Sequence, residues 1–231
     1  MSIQENIEAI RARMAQAAEA AGRDGGEILL VGASKMNDAA ACRAAVAAGI
    51  DALGENRVQE LLEKYGQGAY EGVPLHFIGH LQRNKVRQII GKVDMIHSVS
   101  SLELLTEIDR QAEKHGLRQP VLLEVNIGRE ESKSGFLPEA LFDAAAAARD
   151  FAHVEVQGIM AIPPAELEEH GNLPYFQQVY ALYIDINCKL YHNGFKYLSI
   201  GMSDDFEDAI AAGANMVRVG SAIFGARNYQ K

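Results

Sequence analysis

Short apolar runs alternate with helical segments along the chain, and this alternation constrains the fold more than any other feature. Each run is rich in strand-favouring residues and is bounded by Gly, Asn, Asp or other turn residues, which is typical of buried strands. Strands separated by helices form parallel sheets, because the chain must cross over between neighbouring strands. We predict strands over residues 28–35, 52–55, 76–79, 95–99, 121–127, 155–162, 197–202 and 217–224.

Helical segments fill the spaces between these runs, and one more precedes the first run. Ile3, Ile7, Ile10 and Met14 recur at helical spacing, which predicts an amphipathic helix over 3–21. Further helices are predicted over 38–48, 57–65, 81–90, 101–115, 138–151, 175–191 and 204–212.

The number of strands favours a closed barrel over an open sheet. An open doubly wound sheet is the alternative, but no G-x-G-x-x-G follows the first strand and no G-x-x-x-x-G-K-[ST] motif is present. Neither nucleotide cradle is therefore supported. The sequence predicts an α/β fold, a (β/α)8 TIM barrel with an extra N-terminal helix.

Length and charge limit the number of domains and the class of partner. With 231 residues, the chain is sized for one large core, and we predict a single domain over residues 1–231. The net charge of -9 argues against nucleic acid, which is bound through clustered Lys and Arg. No apolar run is long enough to cross a membrane, and residues 1–14 lack the apolar core of a signal peptide. Cys42 and Cys188 are too few for a disulfide framework, so a cytoplasmic location is expected.

Lys35 stands at the carboxyl end of the first predicted strand. Burial there lowers the pKa of a lysine toward the free amine that attacks carbonyl groups. A lysine just after a strand is more often a solvated surface residue, so its position alone decides nothing. It becomes informative only together with the other strand ends.

The loops after the seventh and eighth strands read SIGMS and RVGS. In (β/α)8 barrels these two loops usually hold phosphate at the active-site face. Glycines let backbone N–H groups approach an anion, and serine hydroxyls add donors, although a single glycine is more often a turn residue. We expect Gly220 and Ser221 to contribute most, with Ser199 and Gly201 second, because two aspartates follow SIGMS and repel an anion.

Arg218 lies inside the apolar sequence MVRVG, where a guanidinium needs a partner. Two interpretations stay open. One is a structural ion pair with a buried carboxylate. The other is a hydrogen bond to the ring nitrogen of a pyridine cofactor across the barrel mouth, where a permanent positive charge disfavours protonation of that nitrogen and weakens carbanion chemistry.

The remaining polar residues near strand ends give weaker signals. His76, His80, Asp94 and Glu124 have no recognised metal-ligand spacing, so no metal site is expected. Lys133 follows the fifth strand and lies on the active-site side, but it is expected to be an exposed loop lysine.

Longer motifs extend over nearly the whole chain in a fixed order. They read VGASK, GENRVQE, HFIGHLQRNK, REESKSG, GIMAIP, LSIGMSDD and VRVGSAIFGAR. With these motifs the chain resembles the pyridoxal phosphate homeostasis protein family, also called the YggS or proline synthase co-transcribed type. The resemblance implies a barrel like the N-terminal domain of alanine racemase.

The resemblance also implies a cofactor and its ligands. Pyridoxal 5'-phosphate (PLP) would be held as a Schiff base on Lys35, and Arg218 would face the pyridine nitrogen. Asn56 and Met160 would line the cofactor. The phosphate would be held by Ser199, Gly201, Gly220 and Ser221. No catalytic residue is assigned.

The implied function is to bind and deliver PLP, and to keep amino-acid and keto-acid pools in balance, without robust turnover. PLP-dependent apo-enzymes are the implied receivers, and a monomer is expected. The sequence departs from the family at one point, because many members have a second lysine soon after the Schiff-base lysine, whereas this chain has Asn37. A transfer role for that neighbouring lysine is therefore in doubt.

Two enzyme classes and one non-enzyme class are the alternatives. A weak PLP-dependent amino-acid racemase would need a second-domain tyrosine, for which 231 residues leave no room. A cofactor-free aldolase would use Lys35 to attack the carbonyl of its own substrate and would be colourless. An interaction scaffold would depend on neither Lys35 nor Arg218.

Overall fold

The computed structural model describes residues 2–165, 168 and 170–225. In these ranges strands alternate with helices, as the sequence predicts. The strands are β1 (Leu29–Ala33), β2 (Ala52–Glu55), β3 (Leu75–Phe77), β4 (Met95–Val99), β5 (Gln119–Val125), β6 (Val154–Ala161), β7 (Tyr197–Ser199) and β8 (Met216–Val219). The α-helices are α1 (Ile3–Ala20), α2 (Ala39–Ala47), α3 (Val58–Gly66), α4 (Val86–Ile89), α5 (Leu102–Lys114), α6 (Pro138–Ala148), α7 (Leu173–Tyr191), α8 (Phe206–Ala211) and α9 (Ser221–Phe224).

The strands form one closed parallel barrel in the order of the sequence, with β8 pairing β1. This closure confirms the predicted (β/α)8 barrel over the open sheet. In the register that closes the barrel, Val31 lies opposite Arg218 and Gly32 lies opposite Val219. The strand that leads to Lys35 is therefore the direct neighbour of the strand that carries Arg218.

Side-chain alternation along the strands divides the core into two parts. The outward-facing side chains pack against the helices in a large cluster that contains Phe77, Phe176 and Phe206. The inward-facing apolar side chains fill the barrel, so that its interior is packed core and any ligand must bind at the mouth. This inner layer consists of Val31, Ala52, Met95, Leu122, Met160 and Met216.

The extra N-terminal helix is α1, whose periodic apolar positions Ile7, Ile10 and Met14 are all buried. Ser2 and Glu5 form a capping box at its start, which satisfies backbone donors of the first turn. α1 packs against α2, α8 and α9. Because those helices flank β1 and β8, α1 covers the outside of the seam where the barrel closes.

The structure corrects the predicted ends of several elements. β1 ends at Ala33 and not at residue 35, and β7 ends at Ser199 and not at residue 202. The predicted eighth strand ends at Val219, because Gly220 takes a helical conformation and the next residues form α9. The predicted helix over 81–90 is instead a 3-10 turn, Arg83–Lys85, followed by the single turn of α4. The last two residues of the VRVGSAIFGAR motif lie outside the described residues. In the described part of the chain, no helix is long and apolar enough to cross a membrane.

Candidate functional site

Lys35 lies in a turn two residues after β1 and is partly buried. The preceding residue still follows the sheet, because Ser34 N donates to Gly54 O at 3.0 Å. The following residue, Met36, has a φ of +63°, a left-handed conformation that is uncommon for residues other than glycine. The chain thus turns sharply at Lys35 and presents it at the mouth of the barrel.

A group of buried polar side chains lies behind this turn. We call Glu55, Glu60, Lys64 and Tyr70 the Lys64 network. Lys64 Nζ lies 2.7 Å from Glu55 Oε1 and 2.8 Å from Glu60 Oε1. Tyr70 donates its hydroxyl to Glu55 Oε1 at 3.0 Å. Lys64 is 6% exposed and Glu55 is 0% exposed, so this ion pair is held in the protein interior.

The Lys64 network hydrogen bonds to both neighbours of Lys35. Lys64 Nζ donates to Ser34 O at 2.8 Å, and Ser34 Oγ donates to Glu55 Oε1 at 2.7 Å. On the other side, Met36 N donates to Glu60 Oε1. The backbone on both sides of Lys35 is therefore fixed to charged groups, the buried Lys64 on one side and the partly buried Glu60 on the other.

The protonation of the network follows from its bonding. Burial lowers the pKa of Lys64, but its hydrogen bonds to Glu55 and Glu60 outweigh burial and leave the pKa raised. Burial also raises the pKa of Tyr70, so that its hydroxyl remains a donor. The ammonium of Lys64 has three donors, and Glu55, Glu60 and the Ser34 carbonyl accept all three.

Arg218 is 4% exposed and reaches across the inside of the barrel from β8. Its Nη1 donates to both the carbonyl oxygen and Oγ of Ser199 at 2.7 Å, and its Nη2 donates to Ala161 O at 3.0 Å. In the described residues it forms no ion pair, so the interpretation as a structural ion pair is wrong. Burial lowers the pKa of Arg218 to about 10, opposed by the charges of Asp205 and Glu124, so the guanidinium stays charged at neutral pH.

A chain of neutral groups continues from Arg218 into the barrel. We call Ser199, His97 and His76 the histidine chain. Ser199 Oγ lies 3.2 Å from His97 Nδ1, and His97 Nε2 lies 3.0 Å from His76 Nδ1. Burial lowers the pKa of His76 to about 4 and holds the pKa of His97 well below its usual value. Both imidazoles are therefore neutral at physiological pH.

The hydrogen bonds of the histidine chain are assigned starting from Arg218. Arginine can only donate, so Ser199 Oγ accepts from it, and we direct the Ser199 hydrogen toward His97 Nδ1. His97 then carries its proton on Nε2 and donates to His76. These tautomers are assigned from the hydrogen bonds.

Glu124 is a further ionisable group inside the barrel, on β5 beside Met160 of β6. Burial raises the pKa of Glu124 to about 7, and the charge of Arg218 opposes the rise. Its Oε2 is buried and has no hydrogen-bond partner in the described ranges. From the sequence, Glu124 was a candidate for metal binding alone; the signal that could have marked it is a lone carboxylate in the apolar strand sequence VLLEV.

A cavity of about 200 Å³ opens at the mouth between the ends of β1 and β8. Lys35, Arg218, Gly220 and Ser221 line it, together with Ser203. Gly220 N donates to Ser203 Oγ at 3.2 Å, which ties the loop after β7 to the loop after β8. The structure thus brings together four of the predicted site residues and adds Ser203, which the LSIGMSDD motif contains but the prediction did not single out.

The other predicted residues lie around or below this cavity. Ser199 is 0% exposed, and its hydroxyl bonds to Arg218 and His97; its assignment to the phosphate stays a prediction. Met160 is fully buried in the inner apolar layer. Asn56 follows β2 directly, and its buried Oδ1 has no hydrogen-bond partner among the described residues. Gly201 O accepts from Arg218 N at 3.0 Å.

A second, larger cavity of about 680 Å³ adjoins the first and shares Met202 and Asp204 with it. Lys133 lines this cavity, where its Nζ lies 2.5 Å from Glu130 Oε2 and 3.0 Å from Pro163 O. Lys133 is therefore a paired loop lysine on the active-site side. Across the described ranges, no three His, Cys, Asp or Glu side chains are grouped to hold a metal ion.

The barrel, with a lysine just after its first strand, is the fold of the alanine racemase N-terminal domain. Residues 3–228 match the family model described as alanine racemase, N-terminal domain. An alanine racemase of Clostridium difficile has a TM-score of 0.74 at 18% identity, covering 99% of this chain and 58% of that chain. At this identity the likeness shows the fold alone.

Closer relatives narrow the class. The pyridoxal phosphate homeostasis protein of Aquifex aeolicus is 39% identical over 229 residues, which cover 99% of this chain and 100% of the relative. That of Pseudomonas aeruginosa is 40% identical over 228 residues, covering 99% and 97%. PipY of Synechococcus elongatus, solved with PLP bound, has a TM-score of 0.84 at 30% identity and covers 97% of this chain and 100% of that chain. The chain therefore belongs to the pyridoxal phosphate homeostasis protein family.

Proposed function

We propose that this protein binds PLP at the mouth of the barrel and acts in PLP homeostasis. The observation that carries the proposal is the meeting of Lys35, Arg218, Gly220 and Ser221 around one cavity. They bring an amine, a fixed positive charge and backbone donors to one place, which are the three groups that PLP needs. The names of the curated relatives and the PLP bound to PipY support the same assignment.

The residues at the phosphate end fit an anion. The backbone N–H groups of Ser221 and Ala222 donate to no acceptor within the described part of the chain. A Cβ on Gly220 would lie 3.3 Å from Ala33 O and 3.4 Å from Ala33 Cβ, so a larger residue here would crowd the end of β1. Gly220, Ser221 and Ser203 would hold the phosphate, with Gly201 shaping the adjoining loop at a φ of +91°.

The residues at the ring end fit a pyridine. Arg218 would donate to the ring nitrogen while the histidine chain holds its guanidinium in place. The buried Oδ1 of Asn56 has no donor among the described residues and could accept a hydrogen bond from the cofactor. Met160 would form the apolar floor of the cavity. Lys35 would hold the cofactor covalently from the other side of the cavity.

PLP supplies an aldehyde that a primary amine captures with loss of one water, and a ring that withdraws electrons most strongly when its nitrogen is protonated. Arg218 cannot give up its proton near neutral pH, so it keeps that nitrogen unprotonated. An arginine here therefore favours holding the cofactor over carbanion chemistry. We infer a non-catalytic carrier that delivers PLP to apo-enzymes, acting as a cytoplasmic monomer with one domain over residues 1–231.

Asn37 closes the turn that carries Lys35 through two hydrogen bonds. Its Nδ2 donates to Lys35 O at 3.1 Å, and its backbone N donates to Ser34 O at 3.1 Å. A lysine at this position could not close the turn through a side-chain amide. We infer that Asn37 stiffens the turn here and that PLP leaves without help from a neighbouring lysine.

The test is the colour of the purified protein and the site of its covalent label. Protein incubated with PLP is expected to be yellow, and borohydride is expected to fix the cofactor on the Lys35 peptide, as read by mass spectrometry. Lys35→Ala is expected to lose the visible band, whereas Lys133→Ala, a lysine of the same face, keeps it.

Two results would contradict this proposal. A band that persists in Lys35→Ala would remove Lys35 from the role. A colourless protein that does not take up added PLP would favour the cofactor-free aldolase. Racemisation of free amino acids by the yellow protein, measured by circular dichroism, would contradict the non-catalytic part alone.

A further inference from the structure

We propose that Glu60 and Lys64 are positioning residues that hold the Lys35 turn in the geometry needed to capture the PLP aldehyde. The inference rests on the proposed function and adds to it residues outside the cavity. Neither side chain lines the cavity, and both act through the backbone of Ser34 and Met36.

The sheet alone cannot hold Lys35 in place. β1 ends at Ala33, and the last barrel hydrogen bond on this side is the one from Ser34 N to Gly54 O. Beyond it, Met36 takes its left-handed φ of +63° although its side chain is 55% exposed. A strained conformation persists only where the surroundings over-determine it. Asn37 closes the turn from within through Lys35 O and Ser34 O. From outside the turn, Glu60 accepts the Met36 N–H and Lys64 binds the Ser34 carbonyl.

The two residues belong to one rigid unit. Glu60 and Lys64 are one turn apart on α3, and Lys64 is also bonded to Glu55 at the end of β2. The Lys35 turn is therefore held by α3 and, through Lys64 and Glu55, by the end of β2. Reactive groups placed by rigid elements keep their geometry better than groups placed by loops, and an error of about 1 Å can cost a hundredfold in rate.

The experiment measures how fast Lys35 captures two aldehydes, PLP and pyridoxal, which lacks the phosphate. Glu60→Ala removes the acceptor for Met36 N–H and is expected to slow the capture of both aldehydes about tenfold. Glu60→Gln keeps an oxygen acceptor and is expected to stay within about twofold of the unsubstituted protein. Borohydride labelling of the Lys35 peptide confirms that the same amine reacts.

Glu107→Ala is the matched control. Glu107 also lies on a helix, is 21% exposed where Glu60 is 19% exposed, and also bonds a cation, Arg110. Its loss is expected to leave both capture rates unchanged. If Glu60→Ala does not fold, Lys64→Arg takes its place, because the larger guanidinium keeps the charge but displaces the Ser34 carbonyl, and the same slowing of both aldehydes is expected.

Three outcomes would overturn the inference. The first is capture of both aldehydes by Glu60→Ala at the unsubstituted rate. The second is slowing of PLP but not of pyridoxal, which would place the effect at the phosphate. The third is equal slowing in Glu60→Ala and Glu60→Gln, which would show that charge and not position matters. If the unsubstituted protein itself captures neither aldehyde, the proposed function has failed, and that result is distinct from these three.

Discussion

The two ends of the cavity are held by opposite kinds of network. At the Lys35 end, the buried groups are charged, and they bond to the backbone on both sides of the lysine. At the Arg218 end, the supporting histidines are neutral, and the hydrogen bonds reach the guanidinium itself. A group that must react is fixed through its backbone, whereas a group that must only present a charge is fixed through its side chain.

The electrostatics follow the same division. Burial lowers the pKa of both histidines, and the charge of Arg218 lowers that of His97 further, so both stay unprotonated. Behind the Lys35 turn, the ammonium of Lys64 is balanced by carboxylates. Removing one partner from a buried ion pair leaves an unpaired charge, whereas removing one member of a neutral chain leaves only an unmet hydrogen bond. Substitutions at the Lys35 end should therefore lower the free energy of unfolding more than substitutions at the Arg218 end.

The largest effect is expected from Lys64→Met. It leaves Glu55 buried without its cation and should lower the free energy of unfolding by about 3–5 kcal/mol. Urea denaturation measures the change. Lys189→Met is the control, because Lys189 is 62% exposed in its pair with Asp185 and should change stability by less than about 1 kcal/mol. Equal losses in the two variants would show that the Lys64 network is no stronger than a surface pair.

A smaller effect is expected from His97→Leu. Ser199 loses its acceptor and His76 loses its donor, which should lower the free energy of unfolding by about 1–3 kcal/mol in the same assay. His115→Leu changes an exposed histidine and should stay within about 0.5 kcal/mol. A loss in His97→Leu larger than that in Lys64→Met would reverse the comparison between the two ends.

The last effect is expected from Glu124→Gln; it is similar in size to that of His97→Leu but is confined to the upper end of the pH range. The folded protein binds a proton at Glu124 with a pKa of about 7, above the usual 4.5, so the carboxyl costs stability as pH rises through this window. The variant should therefore gain about 1–3 kcal/mol above pH 7 and nothing at acid pH. A gain of the same size at both ends of the range would show that proton binding is not its cause.

His76 has the opposite effect on how the free energy of unfolding depends on pH, and this gives a second test with the Glu124→Gln variant. The pKa of His76 falls from 6.5 to about 4 on folding, so the unfolded chain binds more protons between these values, and stability rises with pH. His97, whose pKa is also lowered on folding, adds to this slope, and in the unsubstituted protein the slope of Glu124 partly cancels both. Unfolding curves of Glu124→Gln should reveal the slope of the two histidines, steeper than in the unsubstituted protein between about pH 4.5 and 6.5.

Much of the barrel could be predicted from the sequence, because strand composition and helical periodicity are local signals. They placed Lys35 and Arg218 at the carboxyl mouth, and β2 and β4 were predicted with their observed bounds. The end of β8 could not be predicted, since VGSAIF contains no charged residue and is mostly apolar, and only the backbone conformation of Gly220 separates strand from helix.

The supporting networks could not be predicted, because they depend on which strands and helices meet. Glu60 and Lys64 have the spacing of an exposed helical ion pair, and nothing in the sequence marks them as buried. His76 and His97 are on different strands, and only the barrel register brings them together beneath Ser199. Sequence patterns therefore located the groups that touch the cavity, but not those that hold them.

The pairing of β1 with β8 also governs when the site can exist. Lys35 and the Gly220 loop come from opposite ends of the barrel sequence and meet only when the last strand closes against the first. Contacts between residues so far apart in sequence form late and slowly, because a very long loop must close first. During synthesis, the chain therefore has no complete pocket until β8 has emerged. A ligand that contacts both β1 and β8 would stabilise their pairing and so oppose opening of the barrel between these two strands.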